Sequence, residues 1–482
     1  MRDGVRRLPD SLPRSDCMKN RLLDRMRLPV AVVLLLALLL SGCTQESVTR
    51  FPEEPNHETT EAPHTSQNPP QTDEPYVCTS ETLAALLEGT PSPLPCDTAF
   101  LEWCDQLVGG EVFYRTMTES LRENGYTDDI WFRVTGRSWR VLGDLYNRDA
   151  LEDNITVMND RPGGVAELAF IGDINMADDE FCMQVAAQQE NGPIDCISPS
   201  LVKKLNRADI AFCNNEFCFS VRGYPLISKR PNFRSHPDNV SFLQELGIDI
   251  VTLANNHIYD YTTNALIDTL TTLDDAGIRH IGAGADAQEA RVIQYFIVNG
   301  LKIGYVSASC AEVYLRTPAA QDNQAGILAA YDPADFLSLI AQAKENADYV
   351  VAVIHAGNET SGALEETQIT LAHSCIDSGA DIVIGGHPQN SQSIEYYNGA
   401  PIIYSLGNFW YGKVNTECLL LQATLGVDGI SLHVTPCRQT DGFTQDCSNS
   451  MEGYSALYQL KLRSPGINID SNGFVTEIPS DS

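Results

Sequence analysis

From residue 164 onward the chain alternates short apolar, β-branched runs with helix-period segments, and that alternation predicts an α/β layered domain. The runs fall at 166–171, 210–213, 248–253, 280–281, 293–298, 303–308, 349–354, 382–384 and 401–405. Helical patterns fit between them at 240–246, 263–276, 333–347 and 364–378. Residues 76–160 have a different character: a mostly helical accessory segment, with helical apolar spacing at 81–87 and 100–107 and with Trp103, Trp131 and Trp139 as core anchors. No catalytic pattern is visible in it. After Val434 the composition turns to Gly, Ser and Asp, with a last apolar patch at 454–462, which predicts a small C-terminal cap and loose tail over 437–482.

The N-terminus reads as an export signal. Lys19, Arg21, Arg25 and Arg27 precede an apolar stretch at 28–40 that is too short to span a bilayer comfortably. It ends in Leu40, Ser41, Gly42 and Cys43, which resembles the lipobox of bacterial lipoproteins. Residues 1–42 are therefore predicted to be a lipoprotein signal peptide and Cys43 the lipidated mature terminus, with an uncleaved anchor helix as the alternative. Residues 43–75, rich in Pro, Thr, Glu, Gln, Asn and Ser, predict a disordered tether. Either way the folded part sits outside the cytoplasm, at the cell membrane.

Of the 32 basic and 64 acidic residues, eight and four lie in 1–42, leaving 24 and 60 and a net charge of −36. So acidic a body argues against nucleic acid and against electrostatic adhesion to anionic lipid, so the lipid anchor itself must hold it. An anionic polymer needs a local basic strip to receive it; Arg222, Lys229, Arg230 and Arg234 are one candidate, and a few solvated loop cations are the equal alternative. Twelve cysteines remain once Cys17 and Cys43 are set aside, and in an exported protein they invite disulfides. Local candidates are Cys182 with Cys196, Cys213 with Cys218 and Cys437 with Cys447; none has a zinc-site spacing.

Polar residues recur at the C-terminal ends of the apolar runs, the edge where open α/β sheets place their sites. The clusters are Asp173 with Asn175, Asn214 with Glu216, Asn255 through His257 with Asp260, His355 with Glu359, and His387 with Gln389. Carboxylate, amide oxygen and imidazole are the ligand types that divalent metals take. Any one cluster reads equally as a helix cap or a hydrogen-bonded structural residue. Five in one chain order are harder to dismiss.

Taken together the order is specific. GD-x-x-M (Gly172, Asp173, Met176), N-x-E (Asn214, Glu216), NNH-x-x-D (Asn255, Asn256, His257, Asp260), H-x-G-x-E (His355, Gly357, Glu359), G-x-HP (Gly385, His387, Pro388) and YSLGNF (404–409) resemble the CapA family of poly-gamma-glutamate capsule synthesis proteins. The likeness runs over residues 168–434. That family is similar to a divergent calcineurin-type metallophosphoesterase, which implies a sandwich of two central sheets flanked by helices over 164–436. Carried over, Asp173, Glu216, Asn256, His355 and His387 are the implied metal ligands, and His257 the general acid or phosphate-contacting group, with Asp260 beside it. Asn175, Asn214, Glu359, Gln389 and Asn408 line the site. Two positions depart from the phosphoesterase pattern: Asn175 and Gln389 stand where it has histidines. Both fall on the same metal position, so one divalent-ion site is more secure than two. Uncharged amides there favour Mn²⁺, Mg²⁺ or Ca²⁺ over tight Zn²⁺.

The resemblance implies a membrane-anchored protein in the biosynthesis, export or anchoring of poly-gamma-glutamate or a related anionic surface polymer, with a metal-dependent hydrolase-type site. Two other readings stay open. One is a cell-envelope metallophosphoesterase acting on a phosphorylated small molecule; the other is a non-catalytic scaffold docking membrane synthase partners.

Overall fold

The computed structural model describes residues 115, 118–119, 137–146, 151–311, 317–359 and 362–478. The signal segment, Cys43, the tether, the helices at 81–87 and 100–107, Trp103 and Trp131 lie outside the described residues. The chain forms two compact units, Met1–Ile130 with Leu142–Arg148, and Trp131–Val141 with Asp149–Ser482. The second holds everything below. No helix among the described residues is long and apolar enough to cross a membrane.

Two large mixed sheets, with two small two-stranded ones beside them, make up the described part of this unit. The seven-stranded sheet runs in the spatial order Ile155–Val157, Gln294–Val298, Leu301–Ser309, Tyr349–His355, Ile382–Gly386, Ala400–Ile403, Ile394–Tyr397. The ten-stranded sheet follows the path Ile467–Ile469, Phe474–Glu477, Gly429–Thr440, Thr416–Gly426, Val165–Asn175, Ile210–Asn215, Ile250–Thr252, Arg279–Ile281. Asn408–Tyr411 joins it beside Val165–Asn175, and Phe443–Asp446 beside Gly429–Thr440. The strands that matter below are β1 (Val165–Asn175), β2 (Ile210–Asn215), β3 (Ile250–Thr252), β4 (Tyr349–His355), β5 (Ile382–Gly386), β6 (Asn408–Tyr411), β7 (Thr416–Gly426) and β8 (Gly429–Thr440). β1, β2 and β3 are mutually parallel, as are β4 and β5, so their C-terminal ends share an edge within each sheet.

Side-chain alternation fixes the layers. Leu168 and Phe170 of β1, Phe212 of β2, and Val351 and Val353 of β4 meet in the core between the sheets. The intervening Ala169 and Ile171 face the other way, under Leu266, Leu270 and Leu273 of α1 (Thr262–Ala276). On the far sheet Val350, Ala352 and Ile354 pack beneath α2 (Ala334–Asn346) and α3 (Glu366–Asp377). The result is helix, sheet, sheet, helix. In α1 the buried Ala265, Leu266, Thr269, Leu270 and Leu273 form one stripe, and Gly277 ends the helix in the left-handed region that a glycine adopts without strain.

Three expectations are corrected here. The region from 437 to 478 is not a separate small cap with a loose tail: β8 runs through that boundary, and two further strands extend the same sheet. Helix α4 (Met451–Leu462) seals the inter-sheet core with Leu457 and Leu460. At the other end, Ile155–Val157 pairs with Gln294–Val298, so the last residues of the accessory segment belong to the sandwich. The proposed disulfides are also absent, since all nine described cysteines are free. Their sulfurs turn elsewhere: Cys182 donates to Asn175 O (3.3 Å), Cys218 to Ile258 O (3.0 Å), and Cys437 lies opposite Cys418 across β7 and β8.

Candidate metal centre

The first acidic group owes its position to a bulge in β1. Phe170 is opposite Phe212 but Asp173 is opposite Asn214, so β1 holds one residue more than β2 over that stretch. Beyond the bulge Ile174 and Met176 lie on the helix-covered face that Ala169 and Ile171 occupied before it. The parity has flipped, turning Asp173 away from that face. Gly172 permits this, because a Cβ there would stand 1.9 Å from the Gly407 carbonyl oxygen, which accepts the Asp173 amide at 3.2 Å.

Around Asp173 the ends of five strands converge. Asn214 Nδ2 donates to Asp173 Oδ1 (2.8 Å) and stands 3.3 Å from both Glu216 Oε2 and His355 Nδ1. Asn255 Nδ2 holds Asn214 in turn, donating to its Oδ1 at 2.9 Å. His355 Nε2 is 3.0 Å from Asn256 Oδ1 and 3.7 Å from Glu216 Oε1. His387 follows β5 with φ of 90°, in the region that favours glycine, and its ring centroid is 4.8 Å from that of His355. Its backbone amide donates to Asp173 Oδ2 at 3.4 Å.

These residues fit a divalent cation. One donor atom each from Glu216, His355 and His387 lie within 4.8 Å of one another, and all three residues are buried. His387 Nδ1 is buried without a hydrogen-bond partner. At Gly386 a Cβ would stand 3.1 Å from Asp173 Oδ1 and 3.4 Å from His355 Nδ1, so glycine keeps the cradle open. A cavity of about 10 Å³, lined among others by Asp173, Asn214, His355 and Gly386, has room for about one water-sized body.

The electrostatics agree. Burial, reinforced for Glu216 by the Asp173 charge, raises both carboxyls above their ordinary range. Burial lowers His355 well below its ordinary value and His387 to about 4, with neighbouring imidazoles adding to both. A cation reverses the first tendency and reinforces the second, since it favours carboxylate and neutral imidazole together.

Beside the cluster lies a second arrangement. His257 Nδ1 is 2.6 Å from Asp260 Oδ2, which also accepts the Phe233 amide at 2.8 Å. That contact fixes the proton on Nδ1 and leaves Nε2 facing Glu216 Oε1 at 4.0 Å. Lys229 pairs with Asp260 Oδ1 at 3.2 Å and donates to the Asn256 carbonyl. It is buried, which corrects its placement in a polymer-receiving surface strip. Of the other members of that strip, Arg222 is paired with Asp268, and Arg234 lies over the Tyr261 ring.

The remaining predicted residues divide. Asn408 is buried, opposite Asp173 in register, with Nδ2 unpartnered. Glu359 is half-buried, and its charge contributes to raising Glu216. Asn175 does not offer its oxygen to the cluster, because Oδ1 accepts the Ala177 amide at 2.9 Å. Gln389 enters through its backbone, donating to Glu359 O and accepting from the Asn408 amide, each at 3.1 Å. Sequence reasoning missed Tyr411, whose hydroxyl burial and the Glu216 and Asp173 charges push well above the ordinary value. It stands two residues beyond Phe409 of YSLGNF, so that motif was the available signal.

The family model for the bacterial capsule synthesis protein PGA_cap matches residues 167–413. A PGA biosynthesis protein CapA of Bacillus subtilis is 35% identical over 220 residues, covering 45% of this chain and 57% of that protein. A capsule biosynthesis protein CapA of Bacillus anthracis is 29% identical over 247 residues, covering 50% of this chain and 59% of that one. The matched region thus spans somewhat more than half the length of each relative. Among solved structures, a Haemophilus influenzae NAD nucleotidase aligns over 64% of both chains at 13% identity and a TM-score of 0.35, too distant to bear on fold or activity. With its motifs in order across the matched half of the sequence, the chain belongs to the bacterial capsule synthesis protein PGA_cap family.

Proposed function

We propose that this protein is an extracytoplasmic, lipid-anchored member of its family. It acts in the biosynthesis, export or anchoring of a poly-gamma-glutamate capsule or a related anionic polymer, through a metal-dependent hydrolytic site. The observation that carries the site is the convergence of Glu216, His355 and His387, with Asn256 Oδ1 3.0 Å from His355. Glu216, Asn256, His355 and His387 would hold one ion, with Asp173 adjoining. Mn²⁺, Mg²⁺ or Ca²⁺ suits a set containing amide and carboxylate oxygens. Such an ion supplies Lewis acidity toward a carbonyl or phosphoryl oxygen.

The chain's own groups do the rest. His257, held by Asp260 in the tautomer with Nδ1 protonated, presents Nε2 to the site and takes up or delivers a proton at the leaving group. Lys229 balances the Asp260 charge and fixes the Asn256 carbonyl, so that the adjacent amide and imidazole keep their orientation. The engagement of Asn175 Oδ1 within its own turn supports a one-ion site over the two-ion clamp of a phosphoesterase.

The experiment is metal content by elemental mass spectrometry, with turnover of a phosphodiester and a phosphomonoester in added Mn²⁺. Bound metal and turnover abolished by His257→Ala support the hydrolytic reading. Protein that takes up no metal and turns over nothing supports the scaffold reading instead.

A further inference from the structure

Three residues beyond His387 the chain enters a second cavity, of about 350 Å³. An extended chain covers roughly 10 Å in three residues, so this cavity opens within that distance of the His387 backbone. Its walls include Asn390 and Ser391 from the loop after β5, Asn415 and Glu417 at the start of β7, Arg438 of β8, and Arg463 at the end of α4.

Arg463 is the unusual group. It is half-buried, and its side chain's one hydrogen bond runs from Nη2 to Ser391 Oγ at 2.8 Å. Nε is buried with no partner. Burial lowers its pKa, and the Glu417 carboxylate partly offsets this. A guanidinium in this position is only partly compensated for its desolvation, and an oxyanion at the unpartnered Nε relieves the rest. Arg438 stands in the same wall with Nε bonded to Asn415 Oδ1 (2.9 Å) and Nη1 paired with Glu452 (2.5 Å).

With Glu452 counted beside Arg438 and Glu417 beside Arg463, the two guanidinium groups face two carboxylates, and the donor left without a partner is Arg463 Nε, within a protein of strongly negative charge. That balance suits one monoanionic carboxylate better than a dianionic phosphate, and the planar guanidinium fork matches carboxylate geometry. The volume is that of a small-ligand site.

We infer that this cavity is a carboxylate-binding subsite. It takes one carboxylate of a polycarboxylate ligand on Arg463 and Arg438 while a neighbouring unit reaches the His387 cluster. The spanning part rests on the hydrolytic reading above; the carboxylate site itself does not.

Titration calorimetry of the full chain with EDTA present, using glutarate and inorganic phosphate as separate probes, tests it. Glutarate should bind wild type, and more tightly than phosphate. Arg463→Gln should weaken glutarate binding roughly tenfold or more, as expected when one partner of a desolvated charge pair is removed. Asn415→Asp, which leaves Arg463 in place and adds a negative charge to the wall, should weaken it as well, so a folding defect in one variant does not decide the matter. Asp173→Ala should leave it unchanged. Unaltered glutarate binding in both cavity variants, tighter phosphate than glutarate, or no glutarate binding to wild type would each overturn the assignment. Wild-type protein that takes up no metal in the separate elemental measurement, yet binds glutarate, would refute the hydrolytic reading and leave this subsite standing.

Discussion

Replacing Lys229 with methionine keeps the length of the side chain and strands the Asp260 carboxylate in the interior. The two groups are 3.2 Å apart and both are buried. At an effective dielectric near 20 their attraction is about 5 kcal/mol, and removing one partner of a buried pair costs roughly 3–5 kcal/mol. Asp260 keeps the Phe233 amide at 2.8 Å and His257 Nδ1 at 2.6 Å, which places the loss near the lower end, about 3 kcal/mol. Adding Asp260→Asn removes the unpaired charge while retaining an acceptor. The double variant should therefore be more stable than the sum of the two single losses implies, by about 1 kcal/mol or more. Urea unfolding of the four proteins at pH 7.5 without metal supplies the cycle. A Lys229→Met loss below about 1 kcal/mol, or additivity within about 0.5 kcal/mol, would refute the buried-pair argument.

Gly386→Ala should fold with near-normal stability yet bind metal about 10–100-fold more weakly, because its Cβ presses on Asp173 and His355; Gly385→Ala should destabilise the fold with or without metal, since its Cβ would meet the Tyr404 carbonyl at 2.1 Å. Metal titrations and thermal melts on the pair separate the two effects. Burial raises Asp249 to about 6, so its protonated form contributes stability that is full below about pH 4 and lost as pH rises through 6. Asp249→Asn should consequently gain about 1–3 kcal/mol over wild type at pH 8 and nothing at pH 4, a difference that pH-dependent unfolding checks. Affinity for Mn²⁺ should fall as pH drops from about 8 to 5.5, by up to about tenfold per unit for each proton displaced, because burial makes Asp173 and Glu216 hold protons that the ion must expel. A flat calorimetric profile over that range would place the ligands elsewhere.

Much of the central sheet was legible because its strands are near-continuous apolar runs. The run at 166–171 lies within β1, 349–354 within β4, and the pattern at 263–276 matches α1 to within a residue. The hairpin of β7 and β8 was not read, since the outer part of β8 alternates polar and apolar residues and resembles the Gly- and Ser-rich region that follows it. The polar clusters were legible as strand ends. Their orientation was not, because plain alternation would have set Asp173 on the same face as Ala169 and Ile171; only the bulge turns it. Lys229 was assigned to a surface strip for a different reason. Its burial depends on Asp260 and on the Asn256 carbonyl, and a lysine beside Arg230 in a polar loop carries no local sign of either contact.

The motifs that stand far apart in sequence turn out to be parts of single contacts. Gly172 and Gly407 are pressed together where β1 meets the turn into β6, and the Asp173 amide is bonded to the Gly407 carbonyl. The glycine of GD and the glycine of YSLGNF therefore set the position of one carboxylate between them. Asn214 then joins that carboxylate to Glu216 and His355, while Asn255 holds Asn214. Two buried acids and two buried imidazoles are thereby brought into one space, and the adjacent lysine is already paired with Asp260. Without a cation, burial disfavours charge on the carboxyls and the imidazoles alike, and the two acids stand close together with nothing to neutralise them. With one, every member takes its ordinary ionisation at neutral pH, which is the physical reason that so costly an arrangement is coherent.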